Sequence, residues 1–251
     1  MNRTALITGA TSGIGKACAE ILTKNQFNLI ITGRRKNRLD FLLNELEKKH
    51  KISVTTLCFD VRDREETERQ LSVLKGQTID VLINNAGLAV GVSSIDQGSY
   101  DDWDRMIDTN VKGLLNVSKN IIPLMVNQKM GQIINIGSIA GKEVYPNGNI
   151  YCASKHAVDA ISQGMRIDLL KHNIRVTNIA PGLVETEFSN VRFYGDQEKA
   201  DNVYVGLDPL TGKDIAEAIW FCISRPSHVN IADMLILPAA QASATQVIRK
   251  N

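Results

Sequence analysis

Short apolar runs alternate with longer amphipathic stretches along the whole chain. Thr4-Ala-Leu-Ile-Thr8, Asn28-Leu-Ile-Ile-Thr32, Val54-Thr-Thr-Leu-Cys-Phe59, Asp80-Val-Leu-Ile-Asn84, Ile133-Ile-Asn-Ile136, Ile174-Arg-Val-Thr-Asn-Ile179 and Met234-Leu-Ile-Leu237 read as buried strands. Between them, apolar residues recur at helical spacing: Ile14, Ala17, Cys18, Ile21 and Leu22; then Leu39, Leu42, Leu43 and Leu46. Further helices are predicted from about Arg64 to Leu74, Tyr100 to Met130, Tyr151 to about His172 and Lys213 to Ser224. Pro123 is placed to bend the long helix from Tyr100 to Met130. Strands alternating with helices predict an α/β fold, a doubly wound parallel sheet of Rossmann type, in a single domain over residues 1–251. Residues 183–212 carry Phe188, Val191, Phe193, Tyr194 and Tyr204 among charges without a clear period. That stretch reads as an irregular substrate lid, or else as a surface excursion packed for stability. The tail from Ala239 is polar and helix-permissive.

Composition narrows the function classes. The 251 residues are 43% hydrophobic, enough for one sizeable core. A net charge of +2, from 29 basic and 27 acidic residues, sets up no broad field of one sign. Neither nucleic acid nor a membrane surface is therefore expected as a partner. Cys18, Cys58, Cys152 and Cys222 are scattered, with no Cys-x-x-Cys, and read as small core residues in a reducing compartment. No metal site is expected. No apolar run approaches the roughly 18 residues of a membrane span. The sequence enters a strand directly after Met-Asn-Arg, so no leader peptide and a cytoplasmic location are expected.

The chemistry gathers at the carboxyl ends of the strands, where ligands of such sheets bind. Gly9-Ala-Thr11-Ser12-Gly13-Ile14-Gly15 follows the first strand and opens a helix. Such a turn exposes backbone N–H groups at a helix N-terminus, suited to a pyrophosphate. The alternative is a strand–helix turn that uses glycine only for tightness. Arg34 and Arg35 end the second strand, 19 and 20 residues beyond Gly15, where an NAD site usually places an acid. Two arginines there suit the 2′-phosphate of NADP, unless they belong to a solvated basic surface. Asp60 and Asn85 end the third and fourth strands, and Ser138 the fifth. Tyr151 and Lys155 lie four apart on one helix face. An ammonium close to a phenol favours the phenolate, and a downward shift of roughly three units corresponds to about 4 kcal/mol. Tyr151 would then exchange a proton with an alcohol oxygen held by Ser138, while a redox cofactor handles the hydride. Alone, a Tyr-x-x-x-Lys pair equally fits an ordinary helix face. Asn110, a poor helix former inside a helical pattern, reads on its own as an exposed residue or a kink.

In their order, Thr8-Gly9-x-x-x-Gly13-Ile14-Gly15, Asn84-Asn85-Ala86-Gly87, Ser138, Tyr151-x-x-x-Lys155 and Pro181-Gly182 resemble the short-chain dehydrogenase/reductase family across essentially the whole chain. The resemblance implies catalytic roles for Tyr151 as acid/base, Lys155 as its activator and ribose ligand, and Ser138 as the substrate-orienting hydroxyl. It also turns Asn110 into the fourth catalytic residue, holding a water that links Lys155 to solvent. Asp60 with Val61 would sit at the adenine, Asn85, Ala86 and Gly87 along the adenosine, and Thr186, with Pro181, Gly182 and Val184, near the carboxamide. The spacing Gly-x-x-x-Gly-x-Gly departs from Gly-x-Gly-x-x-Gly. Gly33-Arg34-Arg35, Asn135-Ile-Gly-Ser138, Pro181-Gly-Leu-Val184, Thr186 through Asp196 and His228-Val-Asn-Ile231 are similar to the NADP-dependent branch acting on 3-hydroxy acids such as serine and 3-hydroxypropionate. That implies a small-molecule substrate and a homo-oligomer, commonly a tetramer. Arg192 is the candidate ligand for the substrate carboxylate; the alternative is an ion pair with Glu187, Asp196 or Glu198. A broader carbonyl reductase and a non-catalytic NADP-binding sensor are the competing functions.

Overall fold

The computed structural model describes residues 2–250; Met1 and Asn251, the outermost residues of the expected domain, lie outside them. Seven strands form one parallel sheet: β1 (Thr4–Ile7), β2 (Asn28–Gly33), β3 (Val54–Cys58), β4 (Val81–Asn84), β5 (Gly131–Ile136), β6 (Ile174–Pro181) and β9 (Asp233–Ile236). Their order is β3-β2-β1-β4-β5-β6-β9. The order reverses between β1 and β4, which opens a crevice at their carboxyl ends. β7 (Val184–Glu185) and β8 (Leu210–Thr211) make a separate two-stranded parallel pair.

Side chains alternate across the sheet, so each strand feeds two cores. Ala5, Ile7, Leu29, Ile31, Val81, Ile83, Ile134 and Ile179 face one layer. It contains α1 (Gly13–Lys24), α2 (Lys36–Lys49) and α9 (Gly212–Ile223). Leu6, Ile30, Leu82, Ile133 and Val176 face the other, with residues of α3 (Arg64–Leu71) and α5 (Leu114–Gln128). Burial on both faces explains why the strands read as continuous apolar runs. Two further helices, α4 (Tyr100–Ile107) and α6 (Asn149–Asp168), meet in a smaller cluster of Trp103, Met106, Ile150 and Tyr151 with Leu88 and Val90.

Three sequence expectations are corrected in detail. The helix expected over 100–130 is interrupted: Asp108–Gly113 is a π-helical turn between α4 and α5. Its extra residue rotates Asn110 inward, where it is buried rather than exposed. The stretch 183–212 is not irregular throughout. It holds β7, α7 (Phe188–Arg192), α8 (Gln197–Asn202) and β8, pieces too short for a period to show in sequence. The tail is not helical. Gln241 and Val247 form a bridge, and Arg249 and Lys250 bond back to the carbonyls of Val203, Val205 and Gly206.

Candidate active site

One cleft of about 440 Å³ opens at the crevice between β1 and β4. The glycine turn after β1 forms its floor. Gly9 has φ +65°, and a Cβ there would stand 3.0 Å from Ala86 Cα. Gly13 has φ +52° and packs on the Thr186 side chain. Both positions need glycine, for the left-handed backbone and for the close approach. Ser12 caps α1 without a side-chain hydrogen bond, and no acid lies in the first turn. The uncapped N–H groups and the small residues fit a pyrophosphate laid across the turn. Gly15 does not line the cleft; a Cβ there would come 2.5 Å from Gly9 O and Asn85 Nδ2, so it serves close packing of α1 on the strands.

Basic groups cluster at the end of β2. Arg35 donates to Thr11 Oγ1 at 2.9 Å, Ser12 Oγ at 3.2 Å and Glu187 Oε2 at 3.0 Å. It therefore lies across the glycine turn while its side chain stays exposed. Arg38 donates to Glu187 Oε1 at 2.6 Å. Arg34 is 3.5 Å from Asp60, which also binds Arg62 at 2.7 Å. Burial would raise the Asp60 carboxyl, but the hydrogen bonds from Arg62 and the charge of Arg34 hold it below the usual range. Two guanidiniums, Arg35 and Arg38, share the one carboxylate of Glu187, and Arg34 and Arg62 share Asp60; the excess positive charge beside the turn fits a phosphorylated ribose.

The other end of the cleft carries the proton-transfer groups. Ser138 lies two residues beyond β5 and accepts a hydrogen bond from Ala140 N at 3.1 Å. Tyr151 and Lys155 project from the first turns of α6, with Lys155 Nζ 5.9 Å from the Tyr151 ring centroid. Lys155 is buried and donates to Ile136 O at 2.8 Å. Burial lowers its ammonium from 10.5 to about 8. Burial raises the Tyr151 phenol, and Tyr145 adds to the rise; a hydrogen bond from Ser138 and the charge of Arg192 oppose it. Lys155 alone thus does not bring the phenol down; the shift expected from the sequence drew on a cationic cofactor ring as well as on Lys155. In the protein by itself desolvation wins, and Tyr151 is a neutral acid. Asn110 is buried beside this end of the cleft. It lies behind the wall: its Oδ1 accepts from Leu88 N, and its Nδ2 donates to Leu88 O and Ser154 Oγ. Gly87 is close to both: a Cβ there would stand 3.2 Å from Asn110 Oδ1 and 3.5 Å from Lys155 Nζ.

The excursion over 184–211 roofs this end. Phe188 packs on Tyr151 with ring centroids 5.7 Å apart. Arg192 lines the cleft, its guanidinium 5.6 Å above the Tyr145 ring. The alternative ion pair for Arg192 is absent among the described residues: Glu187 is bound by Arg35 and Arg38, and Asp196 by Lys199. Arg192 Nε is buried with no hydrogen-bond partner. Tyr194 donates to Asp102, and Gly91 N to Arg192 O at 3.0 Å, fixing this roof to the α4 side. Gln241 of the tail is buried and accepts from Leu183 N at 2.9 Å.

The cleft brings together Gly9, Thr11, Ser12, Gly13, Ile14, Arg34, Arg35, Asp60, Val61, Asn85, Ala86, Gly87, Ser138, Tyr151, Lys155, Pro181, Gly182, Val184, Thr186 and Arg192. Sequence reasoning missed Arg38, Tyr145 and Gln241, and named Glu187 only as an alternative partner of Arg192. Tyr145 stood in the glycine-containing turn just before Tyr151 and was the most findable; the others meet the site only through distant segments.

The chain matches the model of the family described as short chain dehydrogenase over residues 3–195. It is 43% identical to the NADP-dependent 3-hydroxy acid dehydrogenase of Schizosaccharomyces pombe, over 99% of this chain and 97% of that protein. It is 41% identical to the serine 3-dehydrogenase of Agrobacterium fabrum over the full length of both. A solved structure of the closed form of a serine dehydrogenase complexed with NADP+ superposes with a TM-score of 0.91 at 41% identity, covering 99% of this chain and 100% of that one.

Proposed function

The chain belongs to the short-chain dehydrogenase family, and from that premise we propose that it oxidises the hydroxyl of a small 3-hydroxy acid, such as serine or 3-hydroxypropionate, or reduces the matching semialdehyde. It is an NADP-dependent oxidoreductase, as its relatives at 43–45% identity are. Bound NADP supplies the hydride acceptor or donor. Arg34 and Arg35, joined by Arg38, hold the 2′-phosphate, and the glycine turn holds the pyrophosphate.

The chain's own groups handle the oxygen and the proton. Ser138 donates to the substrate oxygen. Tyr151 gives that oxygen a proton in the reductive direction and takes it back in the oxidative one. Neutral Tyr151 is ready for the first; for the second, positive charge brought close by the bound cofactor adds to that of Lys155. Asn110 fixes the backbone at Leu88 and the α6 residue Ser154, and so positions the wall beside Lys155. The 183–212 excursion acts as a lid that carries Arg192 over the substrate.

The observation that supports the acid is Arg192: a guanidinium in the cleft with no anionic partner and a buried, unpartnered Nε. A carboxylate gives it a bidentate partner. Removal of charge-assisted hydrogen bonds costs about 1.5–3 kcal/mol, or about ten- to a hundredfold. Arg192→Ala is therefore expected to lose that factor in kcat/KM for 3-hydroxypropionate and almost nothing for its neutral amide, 3-hydroxypropanamide. Equal losses for the two would remove the assignment and favour a broader carbonyl reductase.

A further inference from the structure

We infer that Glu187 ties the roof over the proton-transfer end to the arginines of the ribose end, so that a 2′-phosphate bound there orders the roof as well as the nucleotide. The inference rests on the assignment of Arg34, Arg35 and Arg38 to the 2′-phosphate of NADP. Glu187 is a positioning residue that acts through those arginines.

The Glu187 carboxylate is gripped from two sides. Arg35 Nη1 donates to its Oε2 at 3.0 Å and Arg38 Nη1 to its Oε1 at 2.6 Å. A guanidinium carries five N–H donors, so a contact through Nη1 leaves the rest of each fork for a second anion. The side chains of Glu187, Arg35 and Arg38 are half-exposed. An exposed ion pair is weak on its own, because long side chains lose rotamer freedom when they are held. Once a phosphate fixes the same guanidiniums, Glu187 meets them already ordered, and the two anions reinforce each other. Arg62 already pairs with Asp60 at 2.7 Å, so Arg34, farther from that carboxylate at 3.5 Å, adds a third cation against the mutual repulsion of phosphate and Glu187.

From Glu187 one bonded segment runs to the other end of the cleft. Glu187 immediately precedes α7, and its carbonyl accepts from Val191 N at 3.2 Å. Phe188, next to it, packs on Tyr151, and Arg192 ends the helix. The hydroxyls of Ser189 and Tyr204 bond at 2.7 Å, and Tyr204 Oη donates to Val184 O at 2.8 Å, which joins α7 to β7. Coupling of this kind is reciprocal: an ordered roof also tightens the grip on the phosphate. The preference for NADP is then expressed in substrate binding as well as in cofactor affinity.

The test separates the 2′-phosphate from the nicotinamide. Hydrogen exchange of residues 188–195 is followed with saturating adenosine 2′,5′-bisphosphate or saturating adenosine 5′-phosphate. In the wild type the bisphosphate is expected to slow exchange at least about fivefold more than the monophosphate; in Glu187→Gln that difference is expected to vanish. In a kinetic arm at saturating NADP+, Arg38→Ala and Glu187→Gln are each expected to raise KM for 3-hydroxypropionate about fivefold, and the double variant no further. Equal protection by the two nucleotides in the wild type, a protection difference kept in Glu187→Gln, or multiplied losses in the double variant would overturn the inference. The exchange arm contains no substrate, so its result does not depend on which alcohol is oxidised. Equal affinity of the wild type for the two nucleotides would instead overturn the phosphate assignment on which the inference rests.

Discussion

Tyr151 and Lys155 sit one helical turn apart, and burial acts on them in opposite directions, raising the phenol and lowering the ammonium. The first effect makes Tyr151 the proton donor. Tyr151→Phe is expected to cut turnover by about 10²–10⁴-fold while NADPH binding, followed by nucleotide fluorescence, is unchanged; a fully active variant would remove Tyr151 from the chemistry. The second effect has a consequence for stability. Unfolded, Lys155 titrates near 10.5; folded, at about 8. Between those values the unfolded chain binds more protons, so this group's contribution to stability rises with pH. Urea denaturation of the wild type and of Lys155→Met is expected to show their difference shifting in favour of the wild type from pH 8 to 10. A constant difference would contradict a buried, charged Lys155. Ser138, Tyr151, Lys155, Arg34 and Arg35 could be read from the sequence because each follows a strand or shares a helix face. Glu187 could not: its partners lie 152 and 149 residues away, and a charged residue in a polar segment carries no mark of what it will meet.

The elements that shape the two ends of the cleft differ in how they are built. The strands and α1 were legible because burial on both faces, or on one stripe, leaves a period in the sequence. The roof was legible only as an aromatic-bearing excursion, since α7 has 5 residues and is held by tertiary contacts. The π-helical turn was invisible for a similar reason: Asn110 is turned inward by hydrogen bonds to Leu88, not by local propensity. The tail misled because its backbone preference yields to Gln241, whose amide oxygen accepts from Leu183 N and whose Nε2 donates to Ser243 O. Between roof and glycine turn, Arg35 is the bridge. Arg35→Ala is expected to weaken NADPH binding by about ten- to a hundredfold and to leave NADH nearly unchanged, measured by fluorescence titration. Equal weakening of both would mean that Arg35 supports the turn rather than reading the phosphate.

At the scale of the whole molecule, a seven-stranded parallel sheet and the roof over 184–211 gather the proposed groups, Gly15 and Asn110 apart, around one cleft. Several large apolar side chains remain exposed outside it, among them Leu115 on α5, Ile167 at the end of α6, and Leu235 on the edge strand β9. They accord with assembly of copies of the chain, and a homotetramer in the cytoplasm is the proposed state; light scattering on the eluted protein is expected to return four times 27.7 kDa, and a monomer mass would contradict it. The central claim is that this crevice pairs NADP with a small 3-hydroxy acid. It is tested most directly by the initial rate of NADP+ reduction with 3-hydroxypropionate, run beside 3-hydroxypropanamide and with NAD+ in place of NADP+. The account predicts turnover with the acid and NADP+, at least about tenfold less with the amide, and little with NAD+. Equal rates with acid and amide, or no reaction with the acid while NADPH reduces simple ketones, would contradict it.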